Sequence, residues 1–128
     1  MSAIGPHDYY AGRMLQGLVA AGFPVRPDTI DDLTDRAHRF AAACVARRSG
    51  AIRAAEPGAD IARIHPIDLY ASEALVGLIH AEADRGLEPR RDVSLVCNSL
   101  LIGRIMFVKR QALSAESSQP GPRLQQAI

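Results

Sequence analysis

Apolar residues recur at intervals of three and four along four stretches of the chain, the spacing that lays one side of an α-helix against a core. In the first stretch Ala11, Met14, Leu15, Leu18 and Val19 form the stripe. Pro6 opens it, since a proline at a helix start sacrifices no hydrogen bond, and Asp8 suits the positive end of the helix dipole; Gly22 and Pro24 close it. In the second, Ile30, Leu33, Ala37, Phe40, Ala41, Cys44 and Val45 make the stripe, Asp28 or Thr29 is placed to cap, and Arg47 and Arg48 mark the end before Ser49 and Gly50. A third helix is predicted from Pro66 to about Ala83, with Ala71, Ala74, Leu75, Leu78 and Ile79 inward and Gly86 and Pro89 as breakers. The fourth runs from near Asp92 to about Leu113. Its apolar residues, from Val93, Leu95 and Val96 through Leu100, Leu101, Ile102, Ile105, Met106, Phe107 and Val108, cover nearly the whole circumference, which predicts a helix enclosed by protein on two sides.

Between the second and third helices, residues 49–65 carry Pro57-Gly58 and little periodicity, reading as a connector with one short helical turn near Ala51 to Glu56. From Ser114 the Ser, Gln, Pro and Gly content predicts a flexible tail over 114–128, leaving one helical domain over 1–113.

The first and third stretches share more than periodicity. Laid side by side, Pro6/Pro66, Asp8/Asp68, Tyr10/Tyr70, Ala11/Ala71, Leu15/Leu75, Gly17/Gly77, Leu18/Leu78 and Ala21/Ala81 are identical. Chance would give about one match in such a window at ordinary residue frequencies. Arg47-Arg48 closes one hairpin much as Lys109-Arg110 closes the other, so the pattern predicts an all-α four-helix bundle built from two duplicated αα-hairpins, about 6–48 and 66–110, related by an approximate two-fold. A glycine inside a helix costs about 1 kcal/mol against alanine. Its presence at both Gly17 and Gly77 predicts close helix approach there, and Tyr10 and Tyr70 are expected at matching places in the core.

Composition narrows the picture. Aromatic residues make up 5% of the chain and there is no Trp, which favours close-packed helices over a sheet. The net charge of +1 supplies no global attraction to nucleic acid or to an anionic membrane. No run of eighteen apolar residues is present, and the N-terminus lacks a basic start followed by an apolar stretch, so a cytoplasmic protein without membrane contact is expected. Cys44 and Cys97 have no metal-ligand spacing and sit among apolar residues, reading as buried free thiols.

Candidate chemistry is sparse. Glu73, His80 and Asp84 share a helix face and could ligate a metal or relay a proton, the basis for an alternative as a small metal-dependent hydrolase. Asp35 and His38 sit three apart without a second ligand set. No phosphate loop or nucleophile elbow is present; no catalytic residue, metal site or cofactor is predicted, and a non-enzymatic protein is expected. The surplus apolar surface of the fourth helix predicts an interface at Leu95, Ile102, Met106 and Phe107, and with it a homodimer. Basic pairs at Arg47-Arg48, Arg90-Arg91 and Lys109-Arg110, with Arg63 and Arg104 nearby, offer nucleic-acid binding along a positive rim as another alternative.

The first hairpin also resembles a group of small phage and prophage proteins. The matching residues are Asp8, Tyr9, Tyr10, Ala11, Leu15, Gly17 and Leu18, followed by Ala37, Ala41 and Arg47; the group often has Tyr where this chain has His38 and Asp where it has Ala42. The resemblance implies a phage-borne or prophage-borne accessory protein acting on a host or phage protein, such as a bacterial defence or regulatory complex, and implies nothing about catalysis.

Overall fold

Four helices form close to where the periodicity places them: α1 (Pro6–Ala20), α2 (Ile30–Ala55), α3 (Pro66–Asp84) and α4 (Asp92–Ser117). The computed structural model describes residues 4–85 and 92–117, and among these there is no strand. In this all-α bundle α1 packs on α2 and α3, α4 packs on α3 and α2, and the diagonal pair α2 and α3 barely touch. α1 and α3 run parallel and nearly in step, since Tyr9 meets Ser72, Tyr10 meets Asp68, and Gly17 lies against Val76. α4 runs against α3, with Gly103 beside Ile67 and Ala71, and Phe107 beside His65. The main core gathers Tyr10, Met14, Leu18, Phe40, Cys44, Leu75, Ile79 and Val96. A smaller cluster of Ile52, Ile67 and Phe107 fills the bundle end beneath the connector.

Local chemistry explains most helix ends. Gly22 takes φ +97°, and the bonds Gly22 N–H to Val19 O and Phe23 N–H to Leu18 O close α1 with a Schellman motif that only a residue free of a Cβ adopts cheaply. Thr29 is the N-cap of α2 without a side-chain capping bond; its hydroxyl accepts from Arg26 N–H and donates to Pro24 O, tightening the preceding turn instead. α2 does not stop at Arg47-Arg48. It passes through Gly50 to Ala55 because Arg48 and Ile52 are both buried, and that anchoring outweighs the glycine's cost; it ends at Glu56, ahead of Pro57, where the following ring disfavours helical backbone. α4 likewise extends to Ser117, so Ser114 to Ser117 are helix rather than the start of a tail, and 118–128 lie outside the described residues.

The repeated motif occupies two different environments. Asp8 is exposed and Asp68 fully buried, Leu15 is exposed and Leu75 buried, Tyr10 is buried and Tyr70 only half-buried, and Gly17 is buried while Gly77 faces solvent. α1 buries Tyr10, Met14, Gly17 and Leu18, whereas α3 buries Ile67, Asp68, Ala71, Ser72, Leu75 and Ile79. At 100° per residue these faces differ by roughly a third of a turn. The connector folds over the first turns of α3 and adds a second covered side there. Close approach holds at Gly17, where an added Cβ would meet Val76, but not at Gly77, which has open space.

α4 is not enclosed on two sides. Leu95, Val96, Leu100 and Phe107 are buried, but Val93, Leu101, Ile102, Ile105, Met106 and Val108 are between 41 and 50% exposed because the neighbouring helices cover a single face. None of the helices among the described residues is long and apolar enough to cross a membrane.

Candidate functional site

The most polar feature of the interior is an ion pair that no sequence pattern advertised. Arg48 of α2 and Asp68 of α3 are 3% and 0% exposed. The guanidinium meets the carboxylate as a fork, Nε–H to Oδ1 at 2.9 Å and Nη2–H to Oδ2 at 2.7 Å. Tyr10 donates its hydroxyl to Oδ1 at 2.7 Å, and the His65 backbone N–H donates to Oδ2 at 2.8 Å, half of a capping box at the start of α3. Arg48 also donates to the carbonyls of Ile61 and Arg63 in the connector. The Ile67 N–H donates to His65 Nδ1, so the ring proton sits on Nε2 and is donated to Glu56 at 2.8 Å, while the same ring meets Phe107 edge-on.

Both carboxylate oxygens of Asp68 are occupied by donors from this chain, and neither reaches solvent, which leaves them no room to ligate a metal or take a proton from a substrate. The cluster is a structural clip that clamps the connector onto the bundle end. Burial, then the Asp68 charge, pushes the Tyr10 hydroxyl far above the usual phenol range. Burial works against the charge on Arg48, but its hydrogen bonds to Asp68 and the carboxylate's charge prevail and raise its affinity for the proton. The Cys44 thiol is pushed up to about 12, first by burial and then by the same carboxylate.

The two cysteines therefore part company: Cys44 is buried as expected, whereas Cys97 is exposed on α4. A chromogenic disulfide reagent at pH 8 is expected to titrate one thiol quickly and the second only after denaturant is added. Two fast thiols in the folded protein would contradict the burial of Cys44.

The sequence-predicted sites are redistributed. Leu95 and Phe107, at 6 and 4% exposed, belong to the core and cannot form an interface, because α2 and α3 already cover them; Ile102 and Met106 are exposed. Arg48 leaves the positive rim, its charge consumed by Asp68, while Arg47, Lys109 and Arg110 are exposed and Arg90 and Arg91 lie outside the described residues. Arg63 pairs with Asp60. Arg47 and Arg104 line one shallow cleft between α2 and α4 with Cys97, Leu100 and Leu101, about 350 Å³ in volume. Glu73 is drawn to Arg13 of α1 in an ion pair rather than held toward His80 and Asp84. His38 joins His7 of α1, Nδ1 to Nε2 at 3.0 Å with stacked rings, beside Asp32 and Asp35 in an open depression. Among the described residues no group of three or more His, Cys, Asp or Glu side chains is placed to hold a metal ion.

No known protein family, curated protein or solved structure matches this chain at a significant level. What remains is the outer face of α4. Leu101, Ile105 and Val108 lie roughly opposite the residues that α4 buries, flanked by Ile102 and Met106, and every described side chain from Val108 to Glu116 is exposed. The sequence did reveal excess apolar character in this helix, but not which residues would be left uncovered.

Proposed function

We propose that this protein works by binding another protein through the outer face of α4, without catalysing a reaction, in the cytoplasm of a bacterium. The observation that carries the reading is that the large apolar side chains from Leu101 to Leu113, all but the buried Phe107, stand 41 to 64% exposed along one helix. Folded monomers seldom leave a contiguous apolar patch of several hundred Å² in water unless it binds something. The resemblance of Asp8, Tyr9, Tyr10, Ala11, Leu15, Gly17 and Leu18 to small phage and prophage proteins supports an accessory role directed at a host or phage protein.

The test compares tagged wild type with Leu101→Lys in a bacterial lysate. Leu101 is 47% exposed, so the variant is expected to keep the wild-type helix content and melting temperature while losing at least tenfold of any protein retained by the wild type. Identical retained proteins for both, or none for either from a wild type that is itself monomeric at high concentration, would overturn the reading.

A further inference from the structure

The exposed face of α4 carries a pattern finer than hydrophobicity. Ser94, Asn98, Leu101, Ile105, Val108 and Ala112 succeed one another at steps of four and three, on the side turned away from the residues α4 buries in its own bundle. A repeat of seven residues drifts across a straight helix of 3.6 residues per turn and stays in contact only with a second helix wound around it. We infer that two copies of this chain pair antiparallel through their α4 helices along this seam, burying Leu101, Ile105 and Val108 of each copy. The inference rests on the reading of α4 as a docking face and names its occupant.

Area and charge favour a second copy. Leu101, Ile102, Ile105 and Val108, on or beside the seam, stand 41 to 48% exposed. They offer on the order of 300 Å² of apolar side chain per copy, and with the exposed Ser94, Asn98 and Ala112 and the stems of Arg104 and Lys109 two such faces together reach roughly the 1,000 Å² that a specific interface requires. A partner helix without a matching apolar stripe would have to desolvate polar groups against these side chains. A seam that serves both partners is also what a two-fold pair uses, the same patch meeting itself.

Direction follows from the flanking charges. In a parallel pair Arg104 on one side of the seam would face Lys109 of the other copy, twice over by symmetry, and like charges so placed repel. In an antiparallel pair with Ile105 opposite Val108, Arg104 lies near Gln111 and the stem of Lys109 lies along Ile102. The same register sets Leu101 against Ala112, large against small, which lets the helices close without a void.

Size-exclusion chromatography with light scattering at tens of micromolar is expected to give twice the chain mass for wild type and the single chain mass for Ile105→Lys, whose melting temperature, extrapolated to infinite dilution, stays that of the wild type. On a Cys97→Ser background, oxidising a mixture of Ile105→Cys and Val108→Cys chains is expected to join unlike chains in preference to like ones. A monomeric wild type, a dimer that survives Ile105→Lys, or preferential disulfides between two residues 105 would each overturn the inference. A monomeric wild type whose lysate partner is still lost by Leu101→Lys would remove the second copy and leave the docking reading standing; a monomer with no such loss would remove both.

Discussion

Replacing Asp68 by Ala is expected to remove about 3–5 kcal/mol of folding stability, because it strands the buried Arg48 charge without its counterion. The same substitution takes the acceptor away from the Tyr10 hydroxyl and from the His65 N–H, opening the capping box of α3. Against the roughly 5–15 kcal/mol that hold an ordinary domain together, this is a large fraction. In a chain of this length the melting temperature should fall by about 10–20 °C. The control is built into the repeat: Asp8 occupies the matching position of the first motif but is exposed, and Asp8→Ala should cost less than about 1 kcal/mol, the worth of an acidic residue in a helix's first turn. Exchanging both partners, Arg48→Met with Asp68→Leu, should recover only part of the loss, since the carbonyls of Ile61 and Arg63 would then lie without their donor. Urea denaturation of the four proteins checks all of this. Near-equal losses for Asp8→Ala and Asp68→Ala would mean that the two motifs sit in equivalent surroundings after all.

Gly103→Ala is expected to destabilise by about 1–3 kcal/mol even though alanine is the better helix former, because overpacking a helix crossing outweighs the gain in propensity. A Cβ at Gly103 would lie 2.8 Å from the Ile67 carbonyl oxygen, 3.0 Å from the Ala71 nitrogen and 3.1 Å from the Ala71 Cβ. These atoms are mostly backbone, and the first turns of α3 are pinned by Ile67 in the core and Asp68 in the clip, so α3 cannot step aside cheaply. Gly77→Ala should move the other way, gaining up to about 1 kcal/mol, since its Cβ would enter open space on an exposed helix face. Thermal melts of the two variants should therefore shift in opposite directions, and a stabilised Gly103→Ala would show that α3 and α4 are free to separate.

The helices themselves were legible because their signals are local. Pro6 and Pro66 start helices, Gly22 stops one through its backbone freedom, and the three-and-four spacing of Leu33, Ala37, Phe40, Ala41 and Cys44 marks a buried face whatever it packs against. Those features sufficed for an all-α bundle of four helices. The length of α2 was not legible: Arg48-Ser49-Gly50 reads as a terminus until Asp68 and the Ile52 cluster hold it in the helix.

Sequence by itself determined that there are four helices and where they begin, though not where α2 and α4 end, and that α4 is more apolar than one bundle face requires, since these depend on residues within a few turns of one another. Tertiary structure alone decided what identical residues do. Asp8 and Asp68, Tyr10 and Tyr70, and Gly17 and Gly77 hold the same positions in the motif, yet the connector covers one side of α3, and α1 and α3 turn different faces inward. Burial, and with it charge pairing and the choice of exposed α4 residues, is a property of the faces that meet across the bundle, and a helix's own periodicity does not say how far it is rotated against its neighbours.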